Sequence, residues 1–345
     1  MSMPLTMRWV SAEDWREIGG EFEDLTYEQT LGYAQAAARR IGADVRFLSL
    51  SDQAGRLIAA ACLRIKPVPV LGRGIAWIAA GPLVRHRDNA DPDVETLARV
   101  FSSLRTYARD SGHILRFRMP AVPPMDPGFA DVAAAAAGFG ATDRSPIYRS
   151  VAIDCRQPDD ELMRCQHGKW RNPLRNAMKA GMEIETLPIA DGATRFDALY
   201  RQVSSVKGFS PDIPPEFYYP LKETDFSHKV LFAMKDGVDL GAMTIGVAGG
   251  NAIYLFGATT DAGRRLNTGH FLMWQAIQHC KSHGLNWFDL GGIDPENNPG
   301  VTQFKLRTGG DEVVAPGPYQ YQPPGLTASL IGLAETAHRR VKGRG

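Results

Sequence analysis

The 345-residue sequence has almost no excess charge, few cysteines and no long apolar run. A formal net charge of +1 excludes a protein whose whole surface coats nucleic acid, so a nucleic-acid partner requires a local basic patch. The four cysteines form no CxxC pair, which argues against a zinc site or a dense disulfide framework. We therefore expect no metal and a reducing compartment.

Targeting and membrane-spanning signals are also missing. The N-terminal stretch MSMPLTMRWVSAEDW lacks the apolar core of a signal peptide, and no run approaches the ~18 apolar residues of a membrane span. The sequence thus favours a cytoplasmic location. Residues 326–345 join the apolar LTASLIGLA to the basic HRRVKGR, a pattern typical of a terminal helix packed on its own domain or of a membrane-surface helix. We expect the former, with membrane contact at most peripheral.

The composition is that of a globular protein, with 44% hydrophobic and 22% charged residues. Single cores stop growing near ~250–300 residues, so this length predicts two domains. A strand-like run, IYRSVAID, gives way to the acidic helix start PDDEL. We therefore predict an N-terminal domain over 1–154, a C-terminal domain over 155–325 and a basic tail over 326–345.

The order of elements repeats. Three strand-like runs, a helix and a further strand are predicted in the first half at 45–50, 57–65, 75–79, 93–110 and 114–119. The same order is predicted in the second half at 230–234, 240–247, 252–256, 266–282 and 286–290. This α/β order with mixed sheets resembles the GNAT acyltransferase fold, present twice in tandem. Two unrelated α/β domains are the alternative.

Three segments of the second half are candidates for chemistry, and the first covers 169–185. Asn172 followed by Pro173 predicts a helix start, and Gly181 predicts its end. Basic residues gather at this start and along one face, at Lys169, Arg171, Arg175 and Lys179. They form either a phosphate clamp or a solvated basic face.

The second segment covers 254–277. GNAT proteins hold the coenzyme A pyrophosphate on a glycine-rich turn here, but this chain has the run Arg265-Leu266-Asn267-Thr268-Gly269-His270. Its larger side chains argue against acyl-CoA as the donor. Arg265 and Asn267 can still bind a phosphate-bearing group, or they merely cap the helix.

The third segment covers 288–310. A strand ends at Asp289, and the two glycines that soon follow it allow close approach of a ligand. Asp289 either orients an acceptor ammonium or forms the turn. A short helix then presents Phe304 and Lys305, and a lysine ammonium there can stabilise a developing oxyanion.

In order and spacing, blocks across nearly the whole chain resemble the Fem family of non-ribosomal peptidyltransferases. The blocks are Gln29-Thr30, Ala80-Gly81-Pro82-Leu83, Lys169-Trp170-Arg171, Arg175-Asn176-Ala177, Tyr254, Gly257-Ala258, the run 265–270, Asp289-Leu290-Gly291-Gly292 and Phe304-Lys305. The family moves an amino acid from aminoacyl-tRNA onto an amine, typically of a peptidoglycan precursor, and needs no cofactor.

The resemblance implies roles for matching residues. Phe304 and Lys305 are expected at the aminoacyl-tRNA end and at the reaction, and Tyr254 is expected to face the acceptor. The expected substrate-binding residues are Lys169, Arg171, Arg175, Lys207, Tyr218, Arg265, Asn267 and Asp289.

Two departures bear on the acceptor. Gln35 stands where members that act on nucleotide-linked muropeptides have a basic residue, and Lys207 stands where they have an arginine. A lysine lacks the bidentate fork of arginine. The acceptor is therefore either a cell-wall precursor or another small amine.

Two other functions remain open. One is a GNAT N-acyltransferase that uses acyl-CoA or an acyl-carrier protein in envelope or exopolysaccharide metabolism. The other is a non-catalytic module that binds a lipid or polysaccharide in the same cleft.

Overall fold

The computed structural model describes residues 4–69, 71–89, 91–123, 126–207, 213–221 and 225–342, without the side chains of 204–207 and 337–342. The chain divides into two compact units. The first consists of Met1–Tyr148 with Val314–Gly345, and the second is Arg149–Val313.

The first 148 residues contain six strands and four helices among the described positions. They are β1 (Thr6–Val10), α1 (Ala12–Gly20), α2 (Leu31–Ile41), β2 (Asp44–Ser51), β3 (Leu57–Pro67), β4 (Gly74–Ile78), α3 (Val94–Ser111), β5 (Ile114–Phe117), α4 (Pro127–Ala136) and β6 (Gly140–Ala141).

The rest of the chain continues the series. It contains β7 (Arg149–Asp154), α5 (Asp159–Cys165), α6 (Gly168–Met178), β8 (Glu183–Pro188), α7 (Ile189–Lys207), β9 (Ser227–Lys235), β10 (Val238–Ala248), β11 (Asn251–Thr259), α8 (Asp261–Arg265), α9 (Thr268–Ser282), β12 (Trp287–Asp289), α10 (Pro299–Leu306), β13 (Asp311–Val314), β14 (Tyr319–Tyr321) and α11 (Leu326–Lys342).

Each unit is built on a mixed seven-stranded sheet. The strand orders are β1-β2-β3-β4-β5-β14-β6 and β13-β7-β12-β11-β10-β9-β8. In each sheet four antiparallel strands are followed by one parallel pair, β4 with β5 and β11 with β12, joined through α3 or α9. The predicted α/β class and the tandem GNAT-like architecture are confirmed.

The crossover helix α3 shows how local sequence sets an element. The Asp93 side chain accepts a hydrogen bond from Thr96 N at 2.8 Å, and Gly112 in the left-handed region ends the helix. The buried face repeats at helical spacing through Leu97, Val100, Phe101, Leu104 and Ala108. These side chains fill the core of the first unit.

The domain boundary lies elsewhere than the sequence suggests. The run IYRSVAID, expected as the last strand of the first domain, supplies β7, which pairs with β12 in the second sheet. Conversely, the chain beyond Val314 returns to the first unit, where β14 lies between β5 and β6. Strand pairing over long sequence separations decides both assignments, and local patterns do not encode it.

The start of α6 also differs from the prediction. The helix begins at Gly168, not after Asn172, and His167 Nδ1 accepts from Lys169 N at 3.1 Å at this start. Pro173 is inside the helix. Trp170, Leu174 and Ala177 bury one face at helical spacing, and we attribute the tolerance of the proline to this packing.

The expected terminal helix is α11, which packs on the first unit. Within the described ranges, no helix combines the length and apolar character needed to cross a membrane.

Candidate active site

The second sheet opens between two parallel strands. β11 and β12 pair only from Asn251 with Trp287 to Ile253 with Asp289. Beyond this point the chain stays bonded to β7, through Leu290 N to Val151 O, while its pairing with β11 ends. We call the place where this pairing ends, at Tyr254 and the turn that follows Asp289, the gap between β11 and β12.

Lys305 occupies this gap. Its side chain is only 6% exposed, and Nζ donates to the carbonyls of Gly291 and Gly292 at 3.0 and 2.9 Å. The same nitrogen lies 5.4 Å from the centre of the Tyr254 ring, on the ring face. An ammonium has three protons. Two are used in these bonds, and no described residue takes the third.

Burial lowers the pKa of Lys305 from 10.5 to about 8, and the negative charge of Asp289 partly opposes this shift. At neutral pH the side chain therefore still carries its proton in most molecules. The result is a largely desolvated positive charge at the edge of the gap, a setting in which electrostatic stabilisation of an oxyanion is strong.

Asp289 organises the turn that holds the lysine. Its Oδ1 accepts from Gly291 N at 2.8 Å, which makes it the turn former that the sequence offered as one alternative. Gly291 has a φ of +75°, and an added Cβ would lie 2.9 Å from Tyr254 O. A larger residue would therefore strain the turn and collide with β11.

Ser150 completes this network and was not anticipated. Its fully buried hydroxyl is hydrogen-bonded to the Asp289 carboxylate and lies 2.8 Å from Gly291 O. The residue lies in β7, 139 positions before Asp289 in the sequence. Only the pairing of β7 with β12 brings the two together, so no local sequence signal identifies Ser150.

Tyr254 lies beside Lys305, and its expected contact with the acceptor stays a prediction. Burial raises the pKa of its hydroxyl to about 12, so the phenol keeps its proton. The hydroxyl lies over Gly257, where an added Cβ would be 2.4 Å from Oη. Gly257 thus leaves the space that this rotamer of Tyr254 needs.

Phe304 points into an aromatic cluster. Its ring centre lies 5.7 Å from Trp170 and 5.0 Å from His270, which ties α10 to α6 and α9. Burial lowers the pKa of His270 to about 4, so this histidine is neutral. The cluster fixes the helix that presents Lys305, and a contact of Phe304 with tRNA stays a prediction.

Arg265 and Asn267 lie at the other end of β11. Arg265 is exposed at the end of α8, and Asn267 adopts a left-handed φ of +57° just before α9. Strand β11 ends at Thr259, five residues after Tyr254, which is about 16 Å along a strand. Their expected contact with a phosphate-bearing group stays a prediction.

The basic residues of α6 divide into two kinds. Lys169 and Arg175 are exposed, as a phosphate clamp requires. Arg171 is partly buried, and its Nη1 is within 3.5 Å of the carbonyls of Met163 and Arg164 at the end of α5. Arg171 is thus tied back to its own unit.

The remaining predicted positions are less informative. Tyr218 is buried, with its ring centre 5.6 Å from Phe256 and 6.2 Å from His228. Lys207 is the last residue of α7, and its side chain lies outside the described part of the chain. No group of three or more His, Cys, Asp or Glu side chains among the described residues is arranged to hold a metal ion.

Sequence comparison finds similar proteins for part of the chain. Residues 168–306 match the acetyltransferase (GNAT) domain family. Over 99 residues the chain is 25% identical to a lipid II:glycine glycyltransferase from Staphylococcus haemolyticus strain JCSC1435, in a match that spans 29% of this chain and only 23% of that relative.

The fold is shared over most of the chain with solved structures. The crystal structure of FemX superposes with a TM-score of 0.78 at 16% identity, covering 96% of this chain and 100% of that one. The C-terminal domain of a putative lysylphosphatidylglycerol synthetase from Agrobacterium fabrum superposes with a TM-score of 0.55 at 16% identity, covering 95% and 97%. The chain thus shares the fold of FemX, and its second unit contains the match to the acetyltransferase (GNAT) domain family.

Proposed function

We propose that the chain is an aminoacyltransferase that moves an amino acid from aminoacyl-tRNA to an amine and forms an amide bond. The observation that carries this proposal is the Lys305 ammonium, held by two glycine carbonyls at the gap between β11 and β12 with one proton to spare. Such a donor suits an acyl transfer in which a carbonyl oxygen becomes negatively charged.

The chemistry needs no enzyme nucleophile. The acceptor amine attacks the ester carbonyl carbon of the aminoacyl-tRNA, a C–N bond forms, and the carbonyl oxygen becomes an oxyanion facing Lys305. Collapse of this intermediate breaks the ester C–O bond, and the departing ribose oxygen takes the proton that the attacking amine loses. The ester is already activated, so positioning and electrostatics suffice.

The exposed basic residues support an RNA donor. Lys169, Arg175 and Arg265 lie on elements of the second unit, in a protein whose net charge is close to neutral. A tRNA end is a long polyanion, and local patches of this kind supply its phosphate contacts.

The similarity supports a cell-wall precursor as the acceptor, because that relative is a lipid II:glycine glycyltransferase. Which amino acid is donated and which amine accepts it are measured in the experiment that follows.

The experiment supplies purified protein with tRNA charged with radiolabelled Gly, Ala, Ser or Leu, together with lipid II or a soluble muropeptide as acceptor. Transfer of label that RNase abolishes supports the proposal, and Lys305→Met should lose it. Transfer that needs acyl-CoA and ignores RNase would replace it with ordinary GNAT acylation, the rival that the GNAT domain match favours. Acceptor binding without transfer from any donor would indicate a non-catalytic module.

A further inference from the structure

The terminal helix α11 has two unlike faces. On the inner face Ile331 and Ala328 are buried, and Glu335 accepts two hydrogen bonds from the Arg116 guanidinium in β5, each 2.6 Å long. This bidentate ion pair is itself mostly shielded from water. The helix is therefore firmly attached to the first unit by one side.

The outer face is apolar. Leu326, Leu330 and Leu333 are 85%, 50% and 67% exposed, the largest such group of leucines among the described residues. Their spacing of four and three residues places them on one stripe about 10 Å long. Single exposed leucines are ordinary on protein surfaces, but three in line on one helix indicate a contact surface.

The charged residues that follow this stripe in the sequence are all basic. Residues 336–345 contain Arg339, Arg340, Lys342 and Arg344 and no acidic residue. The helix continues to Lys342, so the apolar stripe leads directly into basic positions. Leucines on one face with basic residues at the end are typical of helices that lie in the interface of an anionic bilayer.

We propose that the outer face of α11, defined by Leu326, Leu330 and Leu333, docks on a membrane surface rich in anionic phospholipid. The leucines enter the boundary between headgroups and acyl chains, and the basic end of the helix is attracted to the lipid phosphates. The contact is peripheral, since the opposite face stays attached to the first unit through Glu335 and Arg116. This binding does not depend on the proposed transfer reaction.

The test is sedimentation of the full chain with vesicles that contain no acceptor. We expect binding to vesicles of phosphatidylcholine with phosphatidylglycerol, little binding to phosphatidylcholine alone, and weaker binding at high salt because the charge attraction is screened. The double variant Leu330→Asp/Leu333→Asp should bind about tenfold more weakly or worse. Arg339→Gln/Arg340→Gln should reduce the preference for anionic vesicles.

A matched control is Val132→Asp in α4, because Val132 is 58% exposed and belongs to the same unit. It should bind vesicles like the unchanged protein, and thermal melting should show that all variants fold. Equal binding by the leucine variant and the unchanged protein would overturn the proposal. The proposal would also be overturned if the unchanged protein failed to bind vesicles and formed a dimer that the leucine variant converts to a monomer. A second copy of the chain would then cover this face.

Discussion

The hydroxyl of Ser150 lies 2.8 Å from the carbonyl oxygen of Gly291, the same oxygen that accepts a hydrogen bond from Lys305. The single proton of this hydroxyl is directed to this carbonyl or to the Asp289 carboxylate, so Ser150 belongs to the network around the ammonium. The carboxylate of Asp289 joins them through Ser150 Oγ and Gly291 N. The position of Lys305 therefore depends on a strand that is far away in the sequence.

Replacing Ser150 by alanine should loosen this turn. The change leaves a partly buried carboxylate oxygen with one bond fewer, which costs about 1–3 kcal/mol of the free energy of unfolding. We expect transferase kcat to fall more than the affinity for either substrate changes, since Ser150 acts through Lys305. Urea unfolding and steady-state kinetics measure the two effects. A rise in KM with unchanged kcat would contradict this role.

Asp289→Asn tests the charge separately from the turn. An asparagine Oδ1 can still accept from Gly291 N, so the turn should persist. The negative charge of Asp289 raises the pKa of Lys305, and its removal should lower that pKa below about 8. Titration of the ¹³Cε-labelled lysine by NMR should show the shift, and the alkaline decline of kcat should move to lower pH. An unchanged titration would refute the coupling.

Lys305→Met removes the ammonium and keeps the volume of the side chain. If the ammonium stabilises the oxyanion, kcat should fall about 10²–10³-fold, as for loss of one oxyanion donor. Single-turnover transfer from aminoacyl-tRNA measures the effect. Lys169→Met, at an exposed lysine of α6, is the control. It should weaken tRNA binding in a salt-dependent way and leave the rate of the bound complex nearly unchanged.

Stability should also depend on pH through Lys305. In the unfolded chain the lysine keeps its proton up to its ordinary pKa of 10.5, but in the folded protein only up to about 8. Between these values the unfolded state binds more protons, so stability rises with pH. The free energy of unfolding of the unchanged protein relative to Lys305→Met should therefore increase by up to about 3 kcal/mol between pH 7 and pH 10. A constant difference would show that the lysine is not buried.

Gly257→Ala should displace Tyr254, since the new Cβ would be 2.4 Å from its hydroxyl oxygen. We expect a loss of about 1–3 kcal/mol in stability and a clear loss of activity. Adding Tyr254→Phe removes the colliding oxygen and should restore much of the stability, which thermal melting of the single and double variants can show. Gly300→Ala in α10, where a Cβ meets open space, is the neutral control.

The sequence located much of this site through local patterns. Lys305 and Asp289 follow from glycines and a strand end, Tyr254 follows only from the family resemblance, and the structure brings all three together. Ser150 escaped recognition because its partner is 139 residues away. The structure packs Phe304 on Trp170 and His270 and bonds Arg171 to α5, and the substrate contacts of both residues stay predictions.

The sequence by itself determined which segments become strands and helices, because period-2 and helical spacing, caps such as Asp93 and left-handed glycines act over a few residues. Only the tertiary structure decided where β7 and β14 pair, since hydrogen bonds between distant strands depend on the register of both. Because β7 pairs in the second sheet and β14 in the first, the domain boundary differs from the predicted one and Ser150 lies next to Asp289. It also gave the buried surroundings that leave Lys305 charged but desolvated, because burial is a property of the packed chain and of no single segment.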